Sequence, residues 1–151
     1  MNKFIFLFLS IFLIIGCSYE PILTSKEYKF KFSKISYDGE DKINKIIKNK
    51  LLQNDSNSSK GYEIKYKTIK NKEILSSNSK GDPTVIKMII TLDYSIREDG
   101  KDIFTDKIQK QATYNNINDK FELSQYEENV IDNLANNISS EILMSVNTLS
   151  K

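Results

Sequence analysis

The sequence predicts an α+β fold. It is a two-layer sandwich of order β-α-β-β-β-α, with a four-stranded mixed sheet and two helices on one of its faces. Three observations predict it. In "TVIKMIITLDYSI", Ile86, Met88, Ile90, Leu92, Tyr94 and Ile96 recur at every second position, the period of a strand. In "EDKINKIIKNKLLQ", Ile43, Ile46, Ile47 and Leu51 fall on one face of a helix. Near the end of the chain, Ile131, Leu134, Ala135, Ile138, Ile142, Val146 and Leu149 form a longer helical stripe.

The elements follow in order. In "EYKFKFSKISYDG", Tyr28, Phe30 and Phe32 alternate with Lys29, Lys31 and Ser33, but Ile35 and Tyr37 fall on the opposite parity. The strand therefore bulges near Ser33-Lys34 or breaks into two pieces. Asp38-Gly39 ends it. In the helix that follows, Glu40 and Asp41 suit the positive N-terminal end and the lysines suit the other. A polar loop, Asn54 to Gly61, leads to the second strand, "YEIKYKTIK", with Tyr62, Ile64 and Tyr66 on one side. A helix between two adjacent strands makes them parallel through a right-handed crossover. Asn71 to Pro83 reads as a loop. The third strand, Thr84 to Ile96, has apolar residues on both faces, which suits a central position. Asp99-Gly100 then supplies the positive φ of a tight hairpin turn. "DIFTDKIQKQATYN" returns as the partner strand, with Phe104, Ile108, Ala112 and Tyr114 on one parity. Asn115 to Leu123 reads as a further loop. Ser124-Gln125-Tyr126-Glu127 has the pattern of a capping box opening the last helix. Asn and Ser dominate the face opposite that helix's apolar stripe, so it reads as packed on the sheet and not on a membrane.

The chain begins with a different kind of segment. One lysine, Lys3, precedes an apolar run from Phe4 to Ile15, broken only by Ser10. The run is shorter than the roughly 20 residues of a spanning helix and fits the core of a secretory leader. It ends Leu13-Ile14-Ile15-Gly16-Cys17, the pattern of a bacterial lipobox, whose cysteine thiol receives a diacylglycerol before a peptidase cuts ahead of it. Cys17 is then the point of lipid attachment, and its freed amine is acylated too. One acyl chain binds a membrane marginally, whereas two or three hold firmly. The expected organisation is a leader over residues 1–16, a lipidated tether over 17–26 and one sandwich domain over 27–151. Ser18 follows the cysteine in place of a retention aspartate, which favours the outer membrane and its periplasmic side.

Composition excludes much chemistry. The chain has no His and a single Cys, so a His base, a Ser-His-Asp triad, a His metal site and an internal disulfide are all excluded. The 22 basic and 20 acidic residues nearly balance, so no overall field steers it to nucleic acid. Neither a dinucleotide-binding nor a phosphate-loop motif is present. Asp93, Glu98 and Asp102 read as solvated strand and hairpin carboxylates. No enzyme, cofactor or metal is expected.

A further signal lies in the order of features. Cys17-Ser18-Tyr19-Glu20-Pro21-Ile22-Leu23 is a lipobox cysteine followed by aromatic-x-Pro-aliphatic. A strand, the "INKIIKNKL" helix, a hairpin, the strand end Ala112-Thr113-Tyr114 and a C-terminal helix with Leu134-Ala135 and Ile138 follow. Together these resemble the lipopolysaccharide-assembly lipoprotein family LptE, in particular its alphaproteobacterial branch. The resemblance implies a protein that plugs a large outer-membrane barrel, LptD, assists its assembly and helps insert lipopolysaccharide into the outer leaflet. It implies an exposed sheet face of polar and aromatic groups against the barrel wall. Lipopolysaccharide carries phosphates, so cations should meet it. Arg97 and Lys101 at the hairpin tip are candidates, with Lys65 and Lys67 behind them. The alternative is another lipid-anchored periplasmic interaction module without a role in lipopolysaccharide transport. A carboxylate-dependent envelope hydrolase is a third reading.

Overall fold

The structure is a computed structural model and describes residues 28, 30–53 and 60–150. The leader, Cys17, the tether and most of the Asn54–Gly61 loop lie outside the described residues. Strands β1 (Lys31–Gly39), β2 (Gly61–Ser77), β3 (Pro83–Glu98) and β4 (Lys101–Asn115) form one sheet in the order β1-β2-β3-β4. Helix α1 (Asp41–Leu52) follows β1, and α2 (Lys120–Leu149) closes the chain. The β1–β2 pair is parallel, as the crossover predicts, and the β3–β4 pair is antiparallel, as the Asp-Gly hairpin signal predicts; β2 and β3 also pair antiparallel.

Side-chain parity explains the layering. Tyr62, Ile64, Tyr66 and Thr68 of β2 and Met88 to Ile96 at even positions of β3 are buried on one face. Ile43 and Ile47 of α1 and Ile138 and Ile142 of α2 meet them there. Both helices thus cover the same face. They touch each other, and Lys42 of α1 pairs with Glu128 of α2 at 2.9 Å. The parity change in β1 is a bulge: pairing with β2 shifts between Phe32 and Lys34. The extra residue brings Ile35 level with Ile64 and Tyr37 level with Tyr66, so an odd-numbered apolar set still faces the helices.

Three expectations are corrected. Asn71–Pro83 is not a loop. β2 runs to Ser77 and β3 starts at Pro83, leaving a turn over 78–82. This part of the hairpin extends beyond β1, so residues 71–77 are exposed and carry no buried stripe to betray a strand. Cross-strand pairing holds it instead, with Ile74 opposite Ile86 and Lys87 bonded to Glu73 at 2.5 Å.

Ser124 does not open the last helix. Asp119 does, its carboxylate accepting the amides of Phe121 and Glu122 at 2.8 and 3.1 Å. Starting one turn earlier lets Leu123 pack against the core. Glu127, the expected return arm of the box, bonds sideways to Lys72 and Tyr114.

The aromatic side chains do not lie on the open face. Tyr62, Tyr66 and Tyr94 are buried under the helices, while Lys65 and Lys67, on the opposite parity, are exposed. The open face is polar, with aliphatic residues such as Ile69 and Ile89 interspersed.

Candidate functional site

The sheet face that the described helices leave open is the candidate site. Odd positions of β2 and β3, and Asp38, Thr105 and Lys107 of the edge strands, line up across it through the strand register. Its charges are arranged in cross-strand pairs. Lys67 reaches Asp38 at 3.7 Å, and Lys107 reaches Asp93 at 3.6 Å. Arg97 lies between Glu63 at 3.8 Å and Asp102 at 3.1 Å. Exposed pairs of this kind contribute at most about 1 kcal/mol each. Their greater effect is to make the face polar yet nearly neutral.

A shallow depression of about 480 Å³ lies on this face between Asp38, Lys65, Lys67, Asp93, Ser95 and Thr105. It brings two ammonium groups and two carboxylates together, so an entering anion competes with Asp38 for Lys67, whereas Lys65 holds no ion pair among the described residues.

The four expected cations do not form one cluster. Lys65, Lys67 and Arg97 share the open face, and Lys65 lies opposite Ser95, diagonal to Arg97. Lys101 opens β4 beyond the turn, opposite Glu98. Asp99 has φ 50° and Gly100 φ 78°, the tight turn that Asp-Gly predicts. The Arg97 guanidinium also donates to the Gly100 carbonyl at 2.6 Å, so Arg97 fastens the hairpin as well as presenting charge. Lys65 and Lys101 hold no ion pair among the described residues. Cys17 lies outside the described residues.

Two interior or half-buried polar clusters were missed by sequence reasoning. Asn44 and Thr68 are each 1 % exposed and bond to each other inside the sandwich. The signal was available, because Asn44 stands on the apolar face of α1 and Thr68 on the parity of Tyr66. At the other end, Glu127 accepts from the Tyr114 hydroxyl at 2.6 Å and from Lys72 at 2.5 Å. Burial pushes the Glu127 carboxyl up, but the hydrogen bonds from Lys72 and Tyr114 outweigh it and hold the group below the usual carboxylate range. Burial, joined by the bond to Glu127, raises Tyr114. No local pattern marks this cluster, because its members come from β2, β4 and α2.

Among the described residues, no group of three or more acidic, His or Cys side chains is placed to hold a metal ion. No helix there is long and apolar enough to cross a membrane.

No family model and no curated protein matches the sequence. Solved structures do match the fold. The rare lipoprotein B of Shewanella oneidensis aligns at TM-score 0.60 and 14% identity, over 78% of this chain and 96% of that one. Lipoprotein B of Nitrosomonas europaea aligns at TM-score 0.62 and 11% identity, over 83% and 90%. A minor lipoprotein of Acinetobacter baumannii aligns at TM-score 0.54 and 16% identity, over 82% and 93%. At these identities the likeness establishes a shared fold.

Proposed function

We propose that this chain is an outer-membrane lipoprotein of the LptE kind. Acyl groups on Cys17 hold it to the periplasmic side of the membrane. Its sandwich plugs an LptD-type barrel, assists the barrel's assembly and helps insert lipopolysaccharide into the outer leaflet. The role is one of binding and not of catalysis, with no cofactor or metal.

The observation that carries this reading is the open sheet face. Among the described residues, helices cover one side of the sheet only, and the other is crossed by ion pairs from β1 to β4. The lumen of a wide outer-membrane barrel is polar. A plug therefore needs a polar surface able to exchange its own hydrogen bonds for those of the wall, and this face supplies one. The lipobox at Gly16-Cys17 and the fold shared with lipoproteins support the same reading. Within it, Lys65 and Lys101 are the first candidates for lipopolysaccharide phosphates. Arg97 and Lys67 reach a phosphate by exchanging a carboxylate for it.

Depletion of the chain in its native cell tests the proposal. The expected result is a fall in both assembled barrel and surface lipopolysaccharide. Complete depletion with both unchanged would overturn it and leave a lipid-anchored interaction module with some other partner.

A further inference from the structure

We infer that Lys65 is the anion-accepting point of the open face, and that its occupant is a carboxylate side chain from the wall of the partner barrel. The inference rests on the barrel reading and names the chemistry of that contact. Strand register sorts this part of the face into three cross-strand rows. The first runs Lys34, Glu63, Arg97, Asp102 from β1 to β4. The second runs Ser36, Lys65, Ser95, Thr105, and the third Asp38, Lys67, Asp93, Lys107.

The first and third rows alternate in sign and balance. Arg97 lies 3.8 Å from Glu63 and 3.1 Å from Asp102. Lys67 lies 3.7 Å from Asp38, and Lys107 lies 3.6 Å from Asp93. The middle row carries the Lys65 charge alone, and Lys65 holds no ion pair among the described residues. Its neighbours are short. Ser36 and Ser95 stand one strand away on either side, about 4.8 Å across the ladder. Short hydroxyl side chains between two rows of long charged ones make the depression of about 480 Å³. The Lys65 ammonium is the cation in its lining that has no carboxylate of its own.

In water, Lys65 keeps its hydration. Against a barrel wall it loses that water, and an ammonium buried without an anion is strongly unfavourable. The wall therefore has to bring a negative group to this point. The size of the local excess selects its kind. One carboxylate matches one positive charge. A phosphate monoester carries about −1.5 to −2 at neutral pH and would face Asp38 and Asp93 across the depression. A carboxylate also presents two acceptor oxygens, one for the ammonium and one for the hydroxyls of Ser36 and Ser95. A plug seated in the wrong register leaves Lys65 unpaired, so this contact selects the register. Lys65 thus serves the wall, and Lys101, outside the depression, is left for phosphate.

The test is zero-length carbodiimide coupling of the complex isolated in mild detergent from its native envelope. The reagent joins an ammonium to a carboxylate only where the two are in contact. Mass spectrometry is expected to find Lys65 joined to an Asp or Glu of the barrel. In cells whose only copy is Lys65→Glu, the barrel recovered per chain is expected to fall at least about tenfold. Lys65→Arg keeps the charge and is expected to recover the barrel as wild type does, as is Lys101→Glu. Circular dichroism shows which variants are folded. If Lys65→Glu is not, Lys65→Met takes its place, with a loss of barrel expected there too. A wild type that brings the barrel but couples no barrel acid to Lys65 would overturn the inference and leave the barrel reading standing. So would a folded Lys65→Glu chain that keeps its barrel, and its loss of bound lipopolysaccharide would then assign Lys65 to phosphate. A wild type that brings no barrel would overturn both.

Discussion

Thr68 donates its hydroxyl proton to the side-chain oxygen of Asn44 at 2.8 Å, joining β2 to α1 inside the core. The same hydroxyl oxygen accepts the backbone amide of Glu40 at 3.1 Å, where the helix begins without a side-chain cap of its own. Asn44 in turn donates to the Asp38 carbonyl at 3.1 Å, and its own carbonyl accepts from Tyr66 at 3.0 Å. One buried threonine thus does for α1 what a local N-cap residue usually does. Thr68→Val keeps the shape but leaves the Glu40 amide and the Asn44 oxygen unpaired. It is expected to cost about 1–3 kcal/mol, read from the urea midpoint at unchanged slope.

Gly39 sits where β1 turns into α1, with φ +97°. A Cβ there would stand 2.0 Å from the Thr68 carbonyl oxygen, which is backbone and cannot move aside. Gly39→Ala is expected to cost about 3 kcal/mol or more and to shift the thermal midpoint down accordingly. Gly81 has a similar φ of +87° but nothing within 4 Å of its notional Cβ. Gly81→Ala should therefore lose only about 1–2 kcal/mol, the backbone penalty alone.

The Lys72–Glu127–Tyr114 cluster makes stability depend on acid. The folded Glu127 carboxyl lies below its ordinary value, because the bonds from Lys72 and Tyr114 outweigh burial. Its contribution is thus complete above the unfolded value of about 4.3 and is lost as pH falls through the folded value. Glu127→Gln is expected to cost about 1–2 kcal/mol at neutral pH and to flatten the loss of stability below about pH 4. Urea midpoints measured across that range on both chains check it. Parallel curves would show that Glu127 is not the titrating group.

Alkaline conditions act on the tyrosines. Burial raises the Tyr66 and Tyr114 hydroxyls above their ordinary value. The unfolded chain releases these protons near pH 10 while the folded chain keeps them, so stability falls as pH rises above about 10. The double variant Tyr66→Phe/Tyr114→Phe should show a shallower decline, measured by the same denaturation series.

Much of this architecture was legible because burial leaves a period. The alternation from Ile86 to Ile96, the stripe through Ile138 and Ile142, and the parity switch near Ser33 each report a side that faces the core. Asp99-Gly100 reports a backbone conformation directly. The rest depended on contacts between segments far apart in sequence. The outer part of the β2–β3 hairpin has no buried side and is held by its partner strand. Ser124-x-x-Glu127 matches a local cap, yet Asp119 lies one turn earlier and Glu127 finds better partners in Lys72 and Tyr114. The same holds for the candidate cations. Sequence shows that Arg97 carries charge, and only the register shows that Glu63 and Asp102 already flank it.

The central claim is that the acylated sandwich resides in an outer-membrane barrel, and a mild-detergent pulldown of the full-length chain from its native envelope tests it most directly. Mass spectrometry is expected to find the chain acylated on Cys17 and accompanied by a stoichiometric barrel of the LptD kind. Recovery of the acylated chain with no such barrel, from an envelope in which that barrel is abundant, would contradict the account.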